Sequence, residues 1–162
     1  MSQKETPYYH FPFEEFGSDK ELITEEQNLP ALAREAAINA YAPYSKFHVG
    51  AAVLLENGKV ITGSNQENAA YPSGLCAERV ALFYASAHCP EVPVKAIAIA
   101  AVKDHEPLEI PVPPCGSCRQ VFIEWENRFE KPFAVIMAGT KKIIRTEKAA
   151  YLLPFNFQKD FL

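Results

Sequence analysis

Two short phrases that contain cysteine constrain the fold of this chain more than any other part of the sequence. The first, Cys-Ala-Glu, occupies residues 76–78, and the second, Pro-Cys-Gly-Ser-Cys, occupies residues 114–118. Each lies at the start of a predicted helix, where free N–H groups and the helix dipole stabilise a thiolate. Cys115 and Cys118 are three positions apart on one turn, so both side chains can face one point. The pattern predicts a fold in which two helix starts supply three thiols and one carboxylate to a common site.

This donor set is typical of a catalytic zinc site. Cys76, Cys115 and Cys118 would supply three ligands and leave the fourth position of a tetrahedral Zn²⁺ open for water. Zinc lowers the pKa of a bound water to roughly 7, so that the water can ionise near neutral pH. Glu78 lies two residues after Cys76, where it can accept that proton and deliver it to a reacting nitrogen. The sequence therefore predicts a catalytic zinc centre with Glu78 as its acid–base group.

The predicted centre also needs a neighbouring positive charge. Three thiolates overcompensate a divalent ion, and the surplus negative charge weakens its pull on the water. Arg79 and Arg119 each directly follow a predicted site residue. We expect Arg79 to provide the compensating charge, because the second predicted helix carries both Cys76 and Glu78.

Other interpretations of the cysteines account for less of the pattern. A thioredoxin-like redox pair at residues 115–118 would leave the Cys-Ala-Glu phrase without a role. A structural zinc site needs a fourth protein ligand, and Cys89 lies at the far end of the same predicted helix as Cys76, where its reach is poor. A zinc-stabilised binding protein without turnover is the alternative from another functional class. We expect Cys89 to be a small buried or half-exposed thiol.

Composition narrows the class of protein. The chain has 162 residues, of which 48% are apolar and 22% are charged, as expected for one globular domain with a substantial core. A net charge of −4 argues against a nucleic-acid partner and against an editor of polynucleotides. No apolar run reaches membrane-spanning length, and residues 1–10 lack the apolar core of a signal peptide. We therefore expect a cytoplasmic protein, whose thiols stay reduced, without a membrane partner.

Hydrophobic periodicity predicts alternating helices and strands. The gap between the last two predicted strands is too short for a parallel crossover, so that pair should be antiparallel. The expected architecture is a three-layer α/β/α sandwich with a five-stranded mixed sheet and helices on both faces. The predicted helices are 31–41 (starting near Asn28), 75–88, 115–129 and 147–152, and the predicted strands are 47–55, 59–64, 94–102, 133–138 and 142–145.

An aromatic extension precedes the predicted catalytic domain. We assign residues 1–23 to the extension and residues 24–162 to the domain. Prolines among the aromatic residues favour an extended, edge-type segment. This segment would either pack on its own domain or cross a subunit boundary. Its aromatic residues are Tyr8, Tyr9, Phe11, Phe13 and Phe16.

A Cys- or His-x-Glu phrase followed by Pro-Cys-x-x-Cys is the signature of zinc deaminases that act on cytosine or adenine. The chain resembles the homotetrameric zinc-dependent cytidine deaminases of pyrimidine salvage. The resemblance implies hydrolytic deamination of cytidine and 2′-deoxycytidine to uridine and 2′-deoxyuridine, with release of ammonia, through a zinc-activated water and a Glu78 proton shuttle. It rests on YAPYSKFHVGAA (41–52), NQENAAYP (65–72), CAER (76–79), PCGSCRQ (114–120) and LLP (152–154), followed by Phe157.

The resemblance implies that Asn65 and Glu67 bind the ribose hydroxyl. Residues two apart in an extended segment share a face, and a buried polar pair that requires a sugar hydroxyl would reject a free base. Deaminases of a cytosine-containing antibiotic share the zinc phrases but lack the Asn-x-Glu-Asn phrase, which therefore favours cytidine. A deaminase of a modified cytosine nucleoside remains the alternative among enzymes.

Four further residues receive roles from the resemblance alone. Phe47 would pack near the base and sugar, and the Ala77 backbone N–H would donate to the pyrimidine carbonyl. Tyr71 would lie where sites meet in the tetramer, and Phe157 would cover the base from another subunit. The extension before Thr24 is longer than the minimal core of the family, which leaves the details of assembly open.

Overall fold

One mixed β-sheet forms the middle layer of the structure, a computed structural model that describes residues 8–162. Within these residues the sheet has seven strands: β1 (Glu14–Phe16), β2 (Phe47–Leu55), β3 (Val60–Ser64), β4 (Val94–Lys103), β5 (Glu106–Pro107), β6 (Ala134–Ala138) and β7 (Ile143–Thr146). The strand order is β1-β7-β6-β4-β2-β3, and β5 is added to β4. The β4–β6 pair is parallel and the other pairs are antiparallel, as predicted for β6 with β7.

Helices cover both faces of the sheet, which confirms the α/β/α sandwich. Helix α1 (Leu29–Ile38) packs on one face, and α2 (Ala77–His88) and α3 (Gly116–Phe129) share a core with the other face. Strand β4 is buried over most of its length, because its apolar residues contact helices on both sides. The predicted helix at residues 147–152 is instead a 3₁₀ turn, Ala149–Leu152.

Two glycines allow helices to lie directly on the strands. A Cβ at Gly50 would come within 1.9 Å of the Ala33 carbonyl oxygen in α1. A Cβ at Gly63 would come within 2.6 Å of the Ala81 nitrogen and 2.7 Å of the Ala77 oxygen in α2. The missing side chain of Gly63 therefore sets the distance between β3 and the first turns of α2.

The prediction of five strands is wrong, because two short strands extend the sheet. Strand β1 comes from the aromatic extension and pairs with β7, and Arg145 bonds Glu14 across this pair at 2.8 Å. Strand β5 folds back on β4 through Asp104 and His105, both at positive φ, as in a tight hairpin turn. Strands of two or three residues are too short for an alternating pattern to be visible in the sequence.

The described part of the extension is continuous with the core. Leu22 is buried in the same cluster as Leu29 of α1, and Arg34 of α1 forms a bidentate pair with Asp19 at 2.7 and 3.0 Å. The first seven residues of the predicted extension, 1–7, lie outside the described range. Among residues 8–162, the helices are too short or too polar to cross a bilayer.

Candidate active site

The first turns of α2 and α3 bring the three predicted thiols together. Cys76 is the N-cap of α2, Cys115 is the N-cap of α3, and Cys118 lies on the first turn of α3. The three sulfur atoms lie within 4.8 Å of one another, and Cys76 Sγ is 3.6 Å from Cys115 Sγ. Neither N-cap side chain forms a capping hydrogen bond with its own helix, so both thiols can face the cluster. The direction of each sulfur atom is therefore set by the backbone of the N-cap and the first turn of its helix.

The three thiols of the cluster differ in their exposure to solvent. Cys118 is buried, Cys76 is half-buried and Cys115 is exposed, so the cluster opens towards solvent at Cys115. A hydrogen bond with the Cys118 thiol and the nearby Arg79 guanidinium lower the pKa of Cys76 to about 5. The pKa of Cys118 lies above its usual range, because this thiol holds the shared proton and is buried. The cluster therefore stabilises a thiolate on Cys76.

These residues fit a zinc ion. Tetrahedral Zn–S bonds of about 2.3 Å place sulfur atoms about 3.8 Å apart, and the observed 3.6 Å between Cys76 and Cys115 agrees with that spacing. Thiolates are the soft ligands that zinc prefers, and a lowered thiol pKa favours metal binding. Three protein ligands are the number found in catalytic rather than structural zinc sites.

Arg79, and not Arg119, faces the sulfur atoms. Arg79 Nη2 lies 3.7 Å from Cys76 Sγ, and among the described residues its buried Nε has no hydrogen-bond partner. Arg119 Nε instead donates to the Pro114 carbonyl at 2.8 Å, and its Nη1 donates to the Leu152 carbonyl at 2.8 Å. Arg119 therefore braces the loop before α3, and Arg79 is the one of these two cations that lies beside a sulfur atom of the cluster.

Glu78 is a buried carboxyl group beside the thiols. It lies on the first turn of α2 and is 3% exposed. Burial raises the pKa of Glu78 above its usual range, and the negative charge of Cys76 raises it further, although the backbone N–H of Glu78 and the Cys118 thiol oppose this. A raised pKa makes the protonated form of a carboxyl group more accessible, as general acid–base catalysis requires.

Asn65 joins the end of β3 to the start of β2. Its Oδ1 accepts from the Val49 N–H at 2.7 Å, and its Nδ2 donates to the Phe47 carbonyl at 3.0 Å. The Asn65 N–H also donates to the Val49 carbonyl at 3.1 Å. Asn65 thus fixes the backbone of Phe47, a half-buried residue. The sequence alone did not indicate this contact.

Glu67 holds the turn that precedes β2. Its Oε2 accepts from the Tyr44 N–H at 2.9 Å and from the Ser45 N–H at 3.3 Å. A hydrogen bond from the Ser45 hydroxyl is the main cause that lowers the pKa of Glu67. Glu67 is therefore a carboxylate at neutral pH, with its Oε2 committed to this turn.

The two aromatic residues assigned to subunit contacts are exposed in the single chain. Tyr71, in the 3₁₀ turn Tyr71–Ser73, is 91% exposed. Phe157 is 58% exposed and lies against Phe161 with ring centroids 5.7 Å apart. The Phe157 carbonyl accepts from Gln120 of α3 at 2.8 Å, so its backbone is attached to the helix that carries Cys118.

Sequence reasoning missed the buried carboxylate of Glu126. This residue of α3 accepts hydrogen bonds from the backbone N–H groups of Phe133, Ala149 and Ala150 at 3.1, 2.8 and 3.1 Å. Burial raises the pKa of Glu126, although the three donors oppose this. The contacts attach the end of α3 to the 3₁₀ turn that Arg119 also bonds. No local pattern marks Glu126, because its partners Ala149 and Ala150 lie 23 and 24 positions away in the sequence.

Residues 23–130 match the family described as cytidine and deoxycytidylate deaminase zinc-binding region. The chain is similar to the cytidine deaminase of Sporosarcina psychrophila, with 41% identity over 84% of this chain and 93% of that protein. It is also similar to the cytidine deaminase of Halalkalibacterium halodurans, with 46% identity over 65% of this chain and 71% of that protein.

Solved structures of cytidine deaminases share the fold. The cytidine deaminase of Burkholderia pseudomallei superposes with a TM-score of 0.68 and 40% identity, over 80% of this chain and 96% of that chain. The cytidine deaminase of Mycobacterium tuberculosis superposes with a TM-score of 0.62 and 33% identity, over 80% of this chain and 94% of that chain.

Proposed function

Because the chain belongs to the zinc-binding family of cytidine and deoxycytidylate deaminases, we propose that it catalyses the hydrolytic deamination of cytidine and 2′-deoxycytidine. The products are uridine and 2′-deoxyuridine, with release of ammonia. The observation that carries the proposal is the convergence of three thiols on a buried Glu78 at two adjoining helix starts. That arrangement combines a metal site with a group able to move protons.

Cys76, Cys115 and Cys118 would hold the zinc ion. When bound, zinc makes a water molecule acidic enough to ionise near neutral pH. Glu78 accepts a proton from the attacking water and delivers it to the N3 atom of the pyrimidine. It then accepts the proton of the hydroxyl group added at C4 and delivers that proton to the departing amine. Its raised pKa supports this role, because both protonation states must be accessible during one turnover. Arg79 offsets the negative charge of the thiolates from its position beside Cys76.

Other residues would orient the nucleoside. Ala77 is the first residue of α2, where a backbone N–H without an intrahelical partner can donate to the pyrimidine carbonyl. Phe47 would pack against the base and sugar, and Asn65, which bonds the Phe47 carbonyl, would fix its position. Asn65 and Glu67 would bind the ribose hydroxyl through the donor and acceptor positions that they do not use for bonds within the chain.

The likeness to cytidine deaminases also supports a role in pyrimidine salvage by a homotetramer with shared sites. Tyr71 and Phe157 expose large apolar surface that a neighbouring subunit would cover. In this assembly Phe157 would cover the base bound by another subunit, and Tyr71 would lie where the sites meet. A compartment that keeps thiols reduced, such as the cytoplasm, suits a centre built from three cysteines.

Glu78→Gln tests the function and the mechanism together. We expect the variant to keep its zinc and fold while its turnover of cytidine, followed by loss of cytidine absorbance, falls by about 10²- to 10⁴-fold, the range for a lost acid–base group. Metal analysis and circular dichroism provide the controls. A zinc-loaded wild type that leaves cytidine and deoxycytidine unchanged would refute the function, and a fully active Glu78→Gln would refute the proton shuttle.

A further inference from the structure

The arm, residues 8–13, contacts the C-terminal segment, residues 151–157, through two aromatic pairs. Tyr9 lies against Phe155 with ring centroids 5.9 Å apart, and Phe11 stacks on Tyr151 at 6.3 Å with an interplanar angle of 26°. Directly after the arm, β1 joins the sheet at β7 and fixes where the arm begins. The arm therefore connects the edge of the sheet to the C-terminal segment.

Phe155 has an unfavourable, left-handed backbone conformation that other contacts must stabilise. Its φ of 56° lies in the left-handed region, which an aromatic residue seldom adopts. The side chain is 95% exposed, so burial in the chain does little to stabilise this conformation. Asn156 Nδ2 donates to the Leu153 carbonyl at 3.0 Å and closes the turn from within. The Tyr9 ring approaches Phe155 from outside the turn, tilted by 47°, and leaves most of the Phe155 ring exposed.

The C-terminal segment is bonded at both ends to the first turns of α3. Arg119, next to Cys118, donates to the carbonyl of Leu152, which directly follows Tyr151. Gln120 donates to the carbonyl of Phe157. Displacement of the C-terminal segment would therefore weaken the bond between Gln120 and the Phe157 carbonyl, and it would redirect the Phe157 ring.

We propose that the arm is a strap whose Tyr9 and Phe11 rings hold the C-terminal segment against α3, which makes both residues positioning residues for nucleoside binding. This proposal rests on the proposed function, because it acts through Phe157 as the residue that covers the base. Tyr9 stabilises the turn at Phe155 that directs the chain towards Phe157. Phe11 holds Tyr151, next to the carbonyl that Arg119 bonds.

Hydrogen exchange and steady-state kinetics of the full-length, zinc-loaded protein test the strap. Loss of one aromatic pair in Tyr9→Ala or Phe11→Ala should raise amide exchange in residues 151–157, and the KM for cytidine, by about 3- to 10-fold. We expect kcat to change by less than about 2-fold, because Glu78 and the thiols stay in place. Zinc content and exchange in β4 should remain as in the wild type.

The arm offers its own matched controls. Tyr8 lies against His10, at 6.1 Å, and Tyr8→Ala should leave exchange and KM unchanged. Tyr9→Phe keeps the ring and should behave as the wild type. Because Tyr9 and Phe155 act as one pair, Tyr9→Ala combined with Phe155→Ala should be no worse than the more impaired single variant.

Three results would overturn the strap: unchanged exchange in residues 151–157, raised exchange with an unchanged KM, or an equal response of Tyr8→Ala. A loss of kcat and zinc together with global destabilisation would also overturn it, because that pattern indicates a general structural role. If the wild type does not deaminate cytidine, the proposed function fails, whereas exchange in the arm variants still tests whether the arm holds the segment.

Discussion

Two carboxylates near the proposed site are shifted in opposite directions by their surroundings. Burial raises the pKa of Glu78, whereas hydrogen bonds from the Ser45 hydroxyl and from two backbone N–H groups lower the pKa of Glu67. Glu78 can therefore exchange protons, and Glu67 remains an anion that accepts hydrogen bonds. The difference follows from which group lies in the core and which faces a polar turn.

The turn held by Glu67 should respond to acid only below the ordinary carboxyl range. Because the folded pKa of Glu67 is lowered, its stabilising contacts are fully present above the ordinary value of 4.5. They are lost as the pH falls through the lower, folded pKa. In an NMR titration, the Tyr44 and Ser45 amide shifts should have midpoints below 4.5, and these transitions should vanish in Glu67→Gln. A midpoint at or above the ordinary value would contradict the bonds seen here.

Glu126→Ala should destabilise the protein, because it leaves three N–H groups, two of them buried, without an acceptor. We expect a loss of about 2–4 kcal/mol in the free energy of unfolding, since each unsatisfied buried group costs about 1–3 kcal/mol and some will gain water. Chemical denaturation measures this loss. Glu124→Ala, at an exposed position of the same helix, provides the control and should change stability by less than about 0.5 kcal/mol. Equal stability of the two variants would refute the role of Glu126.

Which residues could be predicted from the sequence depends on how local their partners are. Cys76, Cys115 and Cys118 could be predicted because the direction of each thiol is set within one helix turn. The contacts of Asn65 with the Phe47 and Val49 backbone could not, because they depend on how β2 and β3 pair.

At the scale of elements, the site depends on how closely α2 approaches the sheet. Helix α2 lies so close to β3 that Ala77 and Ala81 leave no room for a Cβ at Gly63. Ala77 lies between Cys76 and Glu78, so this contact positions both predicted site residues. Gly50 plays the same part for α1 on the opposite face. Glycines of one sheet thus set the positions of two helices, but only α2 begins at a thiol, Cys76, and carries the proposed catalytic carboxyl group of Glu78.

Gly63→Ala and Gly50→Ala form a matched pair that separates the site from the fold. Each adds one methyl group to a tightly packed helix–strand contact, and we expect each to cost about 1–3 kcal/mol of stability. Gly63→Ala should also weaken zinc retention under a competing chelator and lower kcat, because the first turn of α2 must shift. Gly50→Ala should retain zinc as well as the wild type does at temperatures where it is folded. Equal zinc loss in both variants would contradict this division.

The longer elements could be predicted from the sequence, and the short ones could not. Strands β2, β4 and β6 show apolar runs or β-branched residues over five or more positions. Strand β1 has only three residues, and its partner Arg145 lies 131 positions from Glu14. Long-range pairing of so short a segment depends on the finished sheet and leaves no periodic signal.

At the scale of the whole molecule, the single chain exposes several large aromatic side chains near its C-terminal segment and at Tyr71. Tyr71, Phe155, Phe157 and Phe161 are all exposed, and the thiol cluster opens to solvent at Cys115. Large exposed apolar groups commonly mark contacts between proteins. The proposed tetramer would cover this surface and close the site in one step.

A hybrid assembly tests whether sites are shared between subunits. Glu78→Gln removes the proton shuttle, and Phe157→Ala removes the ring proposed to cover the base; each variant alone should have low activity. If Phe157 serves a neighbouring site, co-assembly at equal amounts should give about a quarter of the sites both an intact Glu78 and an intact Phe157, by random pairing of subunits. Activity of the co-expressed mixture should then exceed the mean of the two parents and approach that fraction of the wild type, with sedimentation confirming one oligomeric state. Activity that merely equals the mean of the parents, or a fully active monomer, would show that each chain completes its own site.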